Sequence, residues 1–353
     1  MKNKYLPLHH KYRPAKFDDL IGQEMIIKTL KQAIITNRIA PAYLFCGPRG
    51  TGKTSSARIL ARSLNCLDFE QPTIEPCQKC ETCKAISNGT ALDVIEIDAA
   101  SNTGVDNIRD LIEKSRFAPV QSRWKVYVID ECHMLSSAAF NALLKTLEEP
   151  SPKSVFVLAT TDPQRLLPTI ISRCQRFDFR RISLEFLKRN LEEISIKEKI
   201  NINKEALNLI ARRSEGGLRD AQRMLDQLSL LPQPIEAKSV WSILGEVSEK
   251  ELISLLSALT KEDPILVIKI CRNLIDKGNE PIAILEGLTT ILRDLLIKKS
   301  APNEPKLCSI AEDLHPLLKE VSDATNKEKI LDWQYYLKGT ESQIRQSYQP
   351  RLW

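Results

Sequence analysis

The sequence predicts an α/β fold: a parallel sheet covered by helices on both faces, followed by two all-helical regions. Three observations carry this reading. Up to about residue 180, short apolar runs alternate with helix-length segments, the pattern of parallel strands joined by crossover helices. A glycine-rich loop of phosphate-binding type stands between the first strand and the first long helix. Beyond Arg180 the strand signal fades and only helical periodicity remains.

Four runs read as buried strands: "AYLFCG" (42–47), "DVIEID" (93–98), "KVYVID" (125–130) and "SVFVLATT" (154–161). They are short, rich in Val, Ile and Phe, and bounded by turn residues. A sheet buried on both faces requires such near-continuous apolar strands. "KTSSARILARSLN" and "SAAFNALLKTLEE" supply helices between them. Residues 183–240 read as short helices, including "KEALNLIARRSEG" and "LRDAQRMLDQLSLL", the second stopped by Pro232. Farther on, Leu252, Leu255, Leu256 and Leu259, then Leu285, Leu288, Leu292, Leu295 and Leu296, fall on the i, i+3, i+4, i+7 stripe of amphipathic helices. The expected domains are 1–180, the sheet domain; 181–243, a small helical domain; and 244–353, a second helical domain. The chain ends on "SYQPRLW" without a stop signal and reads as the front of a longer gene product.

Length and composition agree with this. The 353 residues, 42% hydrophobic and 27% charged, suit two or three globular domains. No segment approaches the roughly 18 consecutive apolar residues of a membrane span, and the amino terminus has no apolar signal-peptide core. The expected compartment is the cytoplasm, where thiols stay reduced. A net charge of +6 permits a nucleic-acid partner without requiring one, since no long basic run stands out.

"GPRGTGKT" (47–54) fits G-x-x-x-x-G-K-[ST]. Gly47, Gly50 and Gly52 let backbone N–H groups turn towards phosphate oxygens, and the following helix adds its positive end. Lys53 is expected on the β- and γ-phosphates and Thr54 on Mg²⁺, with Thr51 and Ser55 completing the ATP-binding set. "VYVIDECH" (126–133) is an apolar strand ending in two carboxylates. At a strand's carboxyl end, beside the loop, Asp130 can hold Mg²⁺ through water and Glu131 can act as general base. His133 is read as a packing or turn residue. Thr161, at the tip of the next strand, is expected to meet the attacking water or the γ-phosphate.

Cys66, Cys77, Cys80 and Cys83 follow the spacing C-x₁₀-C-x₂-C-x₂-C. In a reduced compartment such a cluster reads as metal before disulfide. Four thiolates form a closed tetrahedral zinc site of structural type. The intervening segment, with Pro72 and Pro76, has too few large apolar residues for a core of its own, so metal ligation would replace one. An iron–sulfur cluster and free thiols are the alternatives.

Together these motifs resemble the AAA+ ATPases and, within them, the clamp-loader branch represented by the tau/gamma (DnaX) family of bacterial DNA polymerase III. The residues that carry the resemblance are "HKYRPAKFDDLIGQE" (10–24), "GPRGTGKT", "IDAASNTGVDNIRDL" (97–111), "VIDECHMLSSAAFNALLKTLEEP" (128–150), "LATTDPQRLLPTIISRC" (158–174) and "EGGLRDAQ" (215–222). They cover residues 1–225 densely, while the remainder fits the family's helical collar by length and pattern.

The resemblance implies an AAA+ phosphate-loop domain with a zinc-binding insertion, a helical lid and an oligomerisation collar. It implies that Tyr12, Arg13 and Pro14 belong to the adenine pocket, with Ile21 near them. Arg173 of "SRC" would reach a neighbouring subunit's γ-phosphate, and Arg219 of "GGLRDA" would touch its own subunit's nucleotide. Zinc at the four cysteines is implied by the family as well. The implied work is loading of a sliding clamp onto primed DNA, driven by ATP with Mg²⁺. It would be done in a hetero-oligomer with delta and delta prime-like subunits and further copies of the chain. Arg109 is the candidate DNA contact, a solvated helix face being the alternative; the extra basic residues usual in the family are Asn102 and Gly104 here. Two rival readings are a silent stator of delta prime type, which generally lacks a working phosphate loop, and an AAA+ helicase or branch-migration motor.

Overall fold

The computed structural model describes residues 5–304 and 307–347; the end of the "SYQPRLW" segment lies outside them. The chain forms two compact units, Met1–Gln233 and Pro234–Trp353.

In the first unit, β1 (Ala42–Cys46), β2 (Val94–Asp98), β3 (Lys125–Asp130), β4 (Ser154–Thr160) and β5 (Gln175–Asp178) form one parallel sheet in the order β2-β3-β4-β1-β5. The four runs expected as strands are all strands. The fifth was not anticipated. β5 is an edge strand paired only to β1, and Phe177 is its one buried residue. An edge strand needs one apolar contact rather than a continuous run, so "QRFD" carries too little periodicity to read.

Alternate strand residues face two separate cores. Tyr43, Phe45, Val126, Val128 and Val157 pack with Leu30 and Ile34 of α2 (Glu24–Ile35) and with Ala57, Leu60 and Leu64 of α3 (Lys53–Asn65). Leu44, Tyr127, Ile129, Phe156 and Leu158 pack with Ile108 and Leu111 of α5 (Val105–Ser115) and with Phe140 and Leu143 of α6 (Ser137–Glu148). Tyr127 stacks on Phe156 with ring centroids 5.0 Å apart. Burying both faces fixes the sheet's register, since a one-residue slip would exchange the two cores. Because every strand runs the same way, the carboxyl ends of β1, β3 and β4 converge, which is where ligands bind in open parallel sheets.

A three-helix lid follows in the same unit: α8 (Leu184–Glu198), α9 (Lys204–Arg213) and α10 (Leu218–Leu228). Ser183 and Asn203 cap α8 and α9 by accepting from Phe186 N–H and Ala206 N–H. The lid is joined to the sheet domain through its turn: Ile182 N–H donates to Gly216 O at 3.1 Å, and Leu218 N–H donates to Gly50 O, also at 3.1 Å. The first helical turn of α10 therefore rests on the phosphate loop itself.

The second unit is helical throughout its described residues. Leu252, Leu255 and Leu256 of α12 (Glu249–Thr260) and Leu288, Leu292 and Leu295 of α14 (Pro281–Ser300) form its centre with Leu318 and Ile330. Of the two expected leucine stripes, all residues are buried except Leu259 and Leu296, which are partly buried. Asp294, 1% exposed, accepts from Ser309 N–H at 2.7 Å, Ser309 O–H at 2.8 Å and Ile310 N–H at 2.9 Å, so its charge is fully matched by donors. This unit begins at Pro234 and includes the helix Ala237–Leu244, so the boundary expected at 243/244 moves back to Pro234. Pro232 and Pro234 break the chain there, whereas nothing interrupts it structurally at residue 244 except a turn at Gly245.

Candidate nucleotide site and cysteine centre

The loop after β1 is built by steric necessity. Gly47 has φ +144°, and a Cβ there would lie 2.4 Å from the Phe179 carbonyl oxygen. A Cβ on Gly50, at φ +73°, would lie 3.3 Å from the Gly217 Cα in the lid turn. Gly52, just before α3, hands the chain over to the helix. Gly47→Ala is expected to lower stability by about 2 kcal/mol or more through backbone overlap and to weaken ATP binding. Thermal denaturation and nucleotide titration check this; an unchanged melting temperature would mean that β5's end yields freely.

Lys53 is nearly buried, and its Nζ donates to Gly47 O at 2.7 Å and Pro48 O at 2.8 Å. Thr51 O–H also donates to Pro48 O. Burial pushes the Lys53 amine down, and the Glu131 and Asp130 carboxylates oppose it. Thr54 O–H donates to Asp130 Oδ2 at 2.8 Å, while Asp130 Oδ1 takes the Glu131 N–H at 3.0 Å. Burial raises the Asp130 carboxyl above its ordinary range. A desolvated carboxylate beside a hydroxyl is an oxygen donor set that suits a hard divalent cation, and the Thr54–Asp130 pair fits one on that chemistry.

Glu131 turns out of β3 in a left-handed conformation, φ +46°. Its Oε2 accepts from Thr161 O–H at 2.9 Å and Thr161 N–H at 3.3 Å. The base and the polar strand tip expected from the sequence therefore touch directly. His133 stands beside them, with Nδ1 3.5 Å from the same Glu131 oxygen and 3.0 Å from Thr160 Oγ1.

Above the loop lies a cleft of about 430 Å³. Gly50 to Ser55, Asp130 and Glu131 form its floor, Pro14 and Ile21 one wall, and Leu218 and Arg219 the lid side. Arg13 enters it with Nε 3.3 Å from Ser55 Oγ; burial, then the neighbouring Arg58, brings its guanidinium down to about 10. Tyr12 takes another place: its hydroxyl donates to Glu198 at the end of α8, where Lys11 also pairs at 2.7 Å, and it is not among the residues lining the cleft. Burial and that carboxylate push the Tyr12 phenol up to about 12. His9, which lies outside every motif segment, lines the cleft, as do His10 and Gln222, which stand at the ends of two of those segments without an assigned role. Gln222 lies one helical turn beyond Leu218, a signal that helical spacing alone could have supplied. A second opening, of about 720 Å³, shares Arg49 and Glu131 with the cleft and is lined by Gly47, Thr161 and His133.

Arg173 and Arg109 lie away from both openings. Arg173 follows the short helix Pro168–Ile171; its Nε donates to Glu148 Oε1 at 2.8 Å and its Nη1 to Thr169 O at 2.8 Å. Arg109 is exposed on α5 and pairs with Asp106 at 3.3 Å.

The four cysteines meet. The sulfurs of Cys66, Cys77, Cys80 and Cys83 all lie within 4.8 Å of one another. A tetrahedron of sulfurs about 2.3 Å from a zinc ion has edges of about 3.8 Å, so the group fits a four-coordinate metal with small adjustment. Gln78, at φ +62°, makes the turn that brings Cys80 N–H to 3.2 Å from Cys77 Sγ; Cys83 N–H lies 3.4 Å from Cys80 Sγ. Burial pushes the Cys80 thiol up, but the Cys83 and Leu67 N–H groups and the adjoining Cys83 and Cys77 thiols outweigh it and bring it down to about 7. Arg123 clamps the segment by donating to the carbonyls of Leu64, Cys66 and Phe69. Of the other cysteines, Cys46 and Cys132 are core residues, and Cys174, Cys271 and Cys308 are half-buried.

The comparisons with known proteins follow the same divisions. A family model described as DNA polymerase III, delta subunit, matches residues 22–183. The DNA polymerase III clamp loader subunit ATPase lid domain matches 187–235, and DNA polymerase III subunits gamma and tau domain III matches 235–352. The chain is 40% identical over 350 residues to the DNA polymerase III subunit tau of Bacillus subtilis, covering 99% of this chain and 62% of that one. It is 41% identical over 299 residues to the corresponding Escherichia coli subunit, covering 84% of this chain and 46% of that one. The chain thus spans from about half to about three-fifths of the length of these relatives. Among solved structures, the Thermotoga maritima RuvB Holliday junction branch migration motor is similar in fold, with a TM-score of 0.50, 20% identity, and 70% and 79% of the two chains covered. Among the described residues, no helix is long and apolar enough to cross a membrane. With three adjoining matches tiling residues 22–352 and two-fifths identity across nearly its whole length, the chain belongs to the tau/gamma family of DNA polymerase III subunits.

Proposed function

We propose that the chain is an ATP-driven motor subunit of a bacterial clamp loader, hydrolysing ATP to ADP and phosphate to place a sliding clamp on primed DNA. The observation that carries this reading is the junction of Lys53, the Thr54–Asp130 pair and Glu131 at one cleft, with Thr161 hydrogen-bonded to Glu131 from the adjoining opening. A stator would not need that combination. RuvB's likeness is one of fold, so the helicase reading has no site-level support from it.

In this reading the loop amides and Lys53 bind the triphosphate, Lys53 exchanging its own loop carbonyls for phosphate oxygens. Thr54 and Asp130 would hold Mg²⁺, whose chemistry there would be to neutralise phosphate charge. Glu131 takes the proton of the attacking water, and Thr161 orients Glu131 through Oε2. Arg13, Pro14 and Ile21 enclose the base; Tyr12 fastens the amino-terminal segment to the lid through Glu198. Arg219, at the start of α10, reports the nucleotide to the lid. Arg173 completes a neighbour's site. The sheet domain, lid and collar then correspond to three parts of one motor, with the second unit holding neighbours. Delta and delta prime-like subunits, further copies of the chain, the clamp and DNA are the partners, and Arg109, exposed on α5 beside Asp106, is the candidate contact to DNA backbone. The expected compartment is the cytoplasm.

The direct experiment assembles the chain with delta and delta prime-like partners and measures ATP hydrolysis with and without clamp and primed DNA. Stimulation by both together supports the motor; ATPase that ignores clamp and DNA contradicts clamp loading.

The cysteine centre is proposed to hold Zn²⁺, whose part would be to cross-link the excursion between α3 and the helix Glu81–Asn88. About one zinc per chain is expected by elemental analysis. Cys80→Ser is expected to lower both zinc content and melting temperature. Metal-free protein with an undiminished melting temperature would contradict a structural role, and visible absorbance with bound iron would favour the iron–sulfur alternative.

A further inference from the structure

We infer that His133 is a positioning residue for hydrolysis, holding the Glu131 carboxylate against the end of β4 so that one of its oxygens is left for water. This rests on the assignment of Glu131 as general base. The sequence assigns His133 no such part; the structure places it between the Glu131 carboxylate and the Thr160 hydroxyl.

Glu131 leaves β3 in a left-handed conformation, so its side chain is not aimed by the strand that carries it. The groups beside it come from the turn that follows, His133, and from the end of β4, Thr161. Thr161 supplies two donors, both to Oε2. His133 Nδ1 is 3.5 Å from that same oxygen and 3.0 Å from Thr160 Oγ1, and only 11% of the His133 side chain is exposed. Among the described residues no hydrogen bond reaches Oε1. The carboxylate is thus held on one oxygen by the two Thr161 hydrogen bonds, with the His133 ring nitrogen 3.5 Å from that same oxygen, and is open on the other, the arrangement a base needs to accept a proton from a positioned water.

Thr160 makes the grip consequential. It is fully buried, its hydroxyl accepts the Asp162 N–H at 3.0 Å, and its carbonyl accepts the Gly47 N–H at 3.1 Å. One residue thus anchors the phosphate loop through its backbone and the imidazole through its side chain. His133 ties the turn bearing the base to the strand end that holds the loop. With the imidazole gone, Glu131 keeps Thr161 alone and can swing about that contact, while the loop's backbone bonds stay as they are. The loss should fall on the chemical step rather than on nucleotide binding.

The test measures steady-state ATP hydrolysis in the reconstituted assembly with His133→Leu, which keeps bulk, and His133→Asn, whose side-chain amide offers a nitrogen near the place of Nδ1. His133→Leu is expected to lower kcat about 10- to 100-fold, the scale of a small misplacement of a reacting group, with KM within about twofold and the melting temperature unchanged. His133→Asn should recover most of that kcat. In a Glu131→Gln background, His133→Leu should cost nothing further, because its target is already absent. Full kcat in His133→Leu, a loss that follows KM or melting temperature, no recovery by Asn, or losses that multiply with Glu131→Gln would each overturn the inference. A fully active Glu131→Gln protein would overturn the base assignment itself. A silent His133→Leu beside an inactive Glu131→Gln overturns this inference alone.

Discussion

Arg173→Ala should leave ATP binding by the isolated chain nearly intact and reduce DNA-stimulated hydrolysis in the assembly by about 10³- to 10⁵-fold, the usual effect of removing an arginine that stabilises γ-phosphate charge. The geometry explains why the two effects separate. Arg173 follows a short helix that starts at Pro168, lies outside its own cleft, and holds Glu148 and the Thr169 carbonyl instead of any residue of the phosphate loop. Its side chain is 31% exposed and that of Glu148 48% exposed. An ion pair so open to water is worth at most about 1 kcal/mol, whereas a 10³-fold rate effect is about 4 kcal/mol. The pair with Glu148 can therefore hold the guanidinium in a resting orientation without competing seriously with a transition state. Nucleotide titration against the isolated chain and ATPase measured in the assembly check the two halves. An Arg173→Ala chain that no longer binds ATP alone would place the residue in its own site.

Glu131→Gln should preserve ATP binding and lower hydrolysis by about 10²- to 10⁴-fold, the range for loss of a general base. The carboxamide keeps the shape and can still accept from Thr161 through its oxygen, so the strand-end contacts survive. What it lacks is basicity. Lys53→Ala should differ in kind, because Lys53 is the buried cation of the loop: tight ATP binding should be lost, and hydrolysis with it. Equilibrium binding and single-turnover hydrolysis, measured side by side on the two proteins, separate these effects. Normal turnover in Glu131→Gln would require another group to take the proton.

Much of this site could be read from the sequence because its chemistry is local. The phosphate loop, Asp130 and Glu131 are carried on contiguous segments whose strand and helix signals are strong, and four strands were found close to their observed ends. Cys77, Cys80 and Cys83 are likewise close neighbours, and only Cys66 had to be brought back by folding. β5 escaped because an edge strand with one buried residue has almost no pattern. Tyr12 was expected at the base and instead pairs with Glu198, a residue far along the chain whose position depends on lid packing. His133 was read as a turn residue, which locally it is; its contact with Thr160 joins two strand ends that only the parallel sheet makes neighbours. His9 reaches the cleft by the same kind of long-range placement, whereas Gln222 follows from helical spacing one turn beyond Leu218. Motif spacing captures groups that act from one segment, and it misses groups whose partner arrives from another element.

The most direct measurement mixes two inactive proteins, Lys53→Ala and Arg173→Ala, in one assembly with proven co-assembly. A site composed of the intact phosphate loop of one chain and the intact Arg173 of its neighbour should recover part of the clamp- and DNA-stimulated ATPase. If the mixture stays as inactive as either protein alone, Arg173 does not complete a neighbour's site, and hydrolysis at a shared boundary between subunits is contradicted.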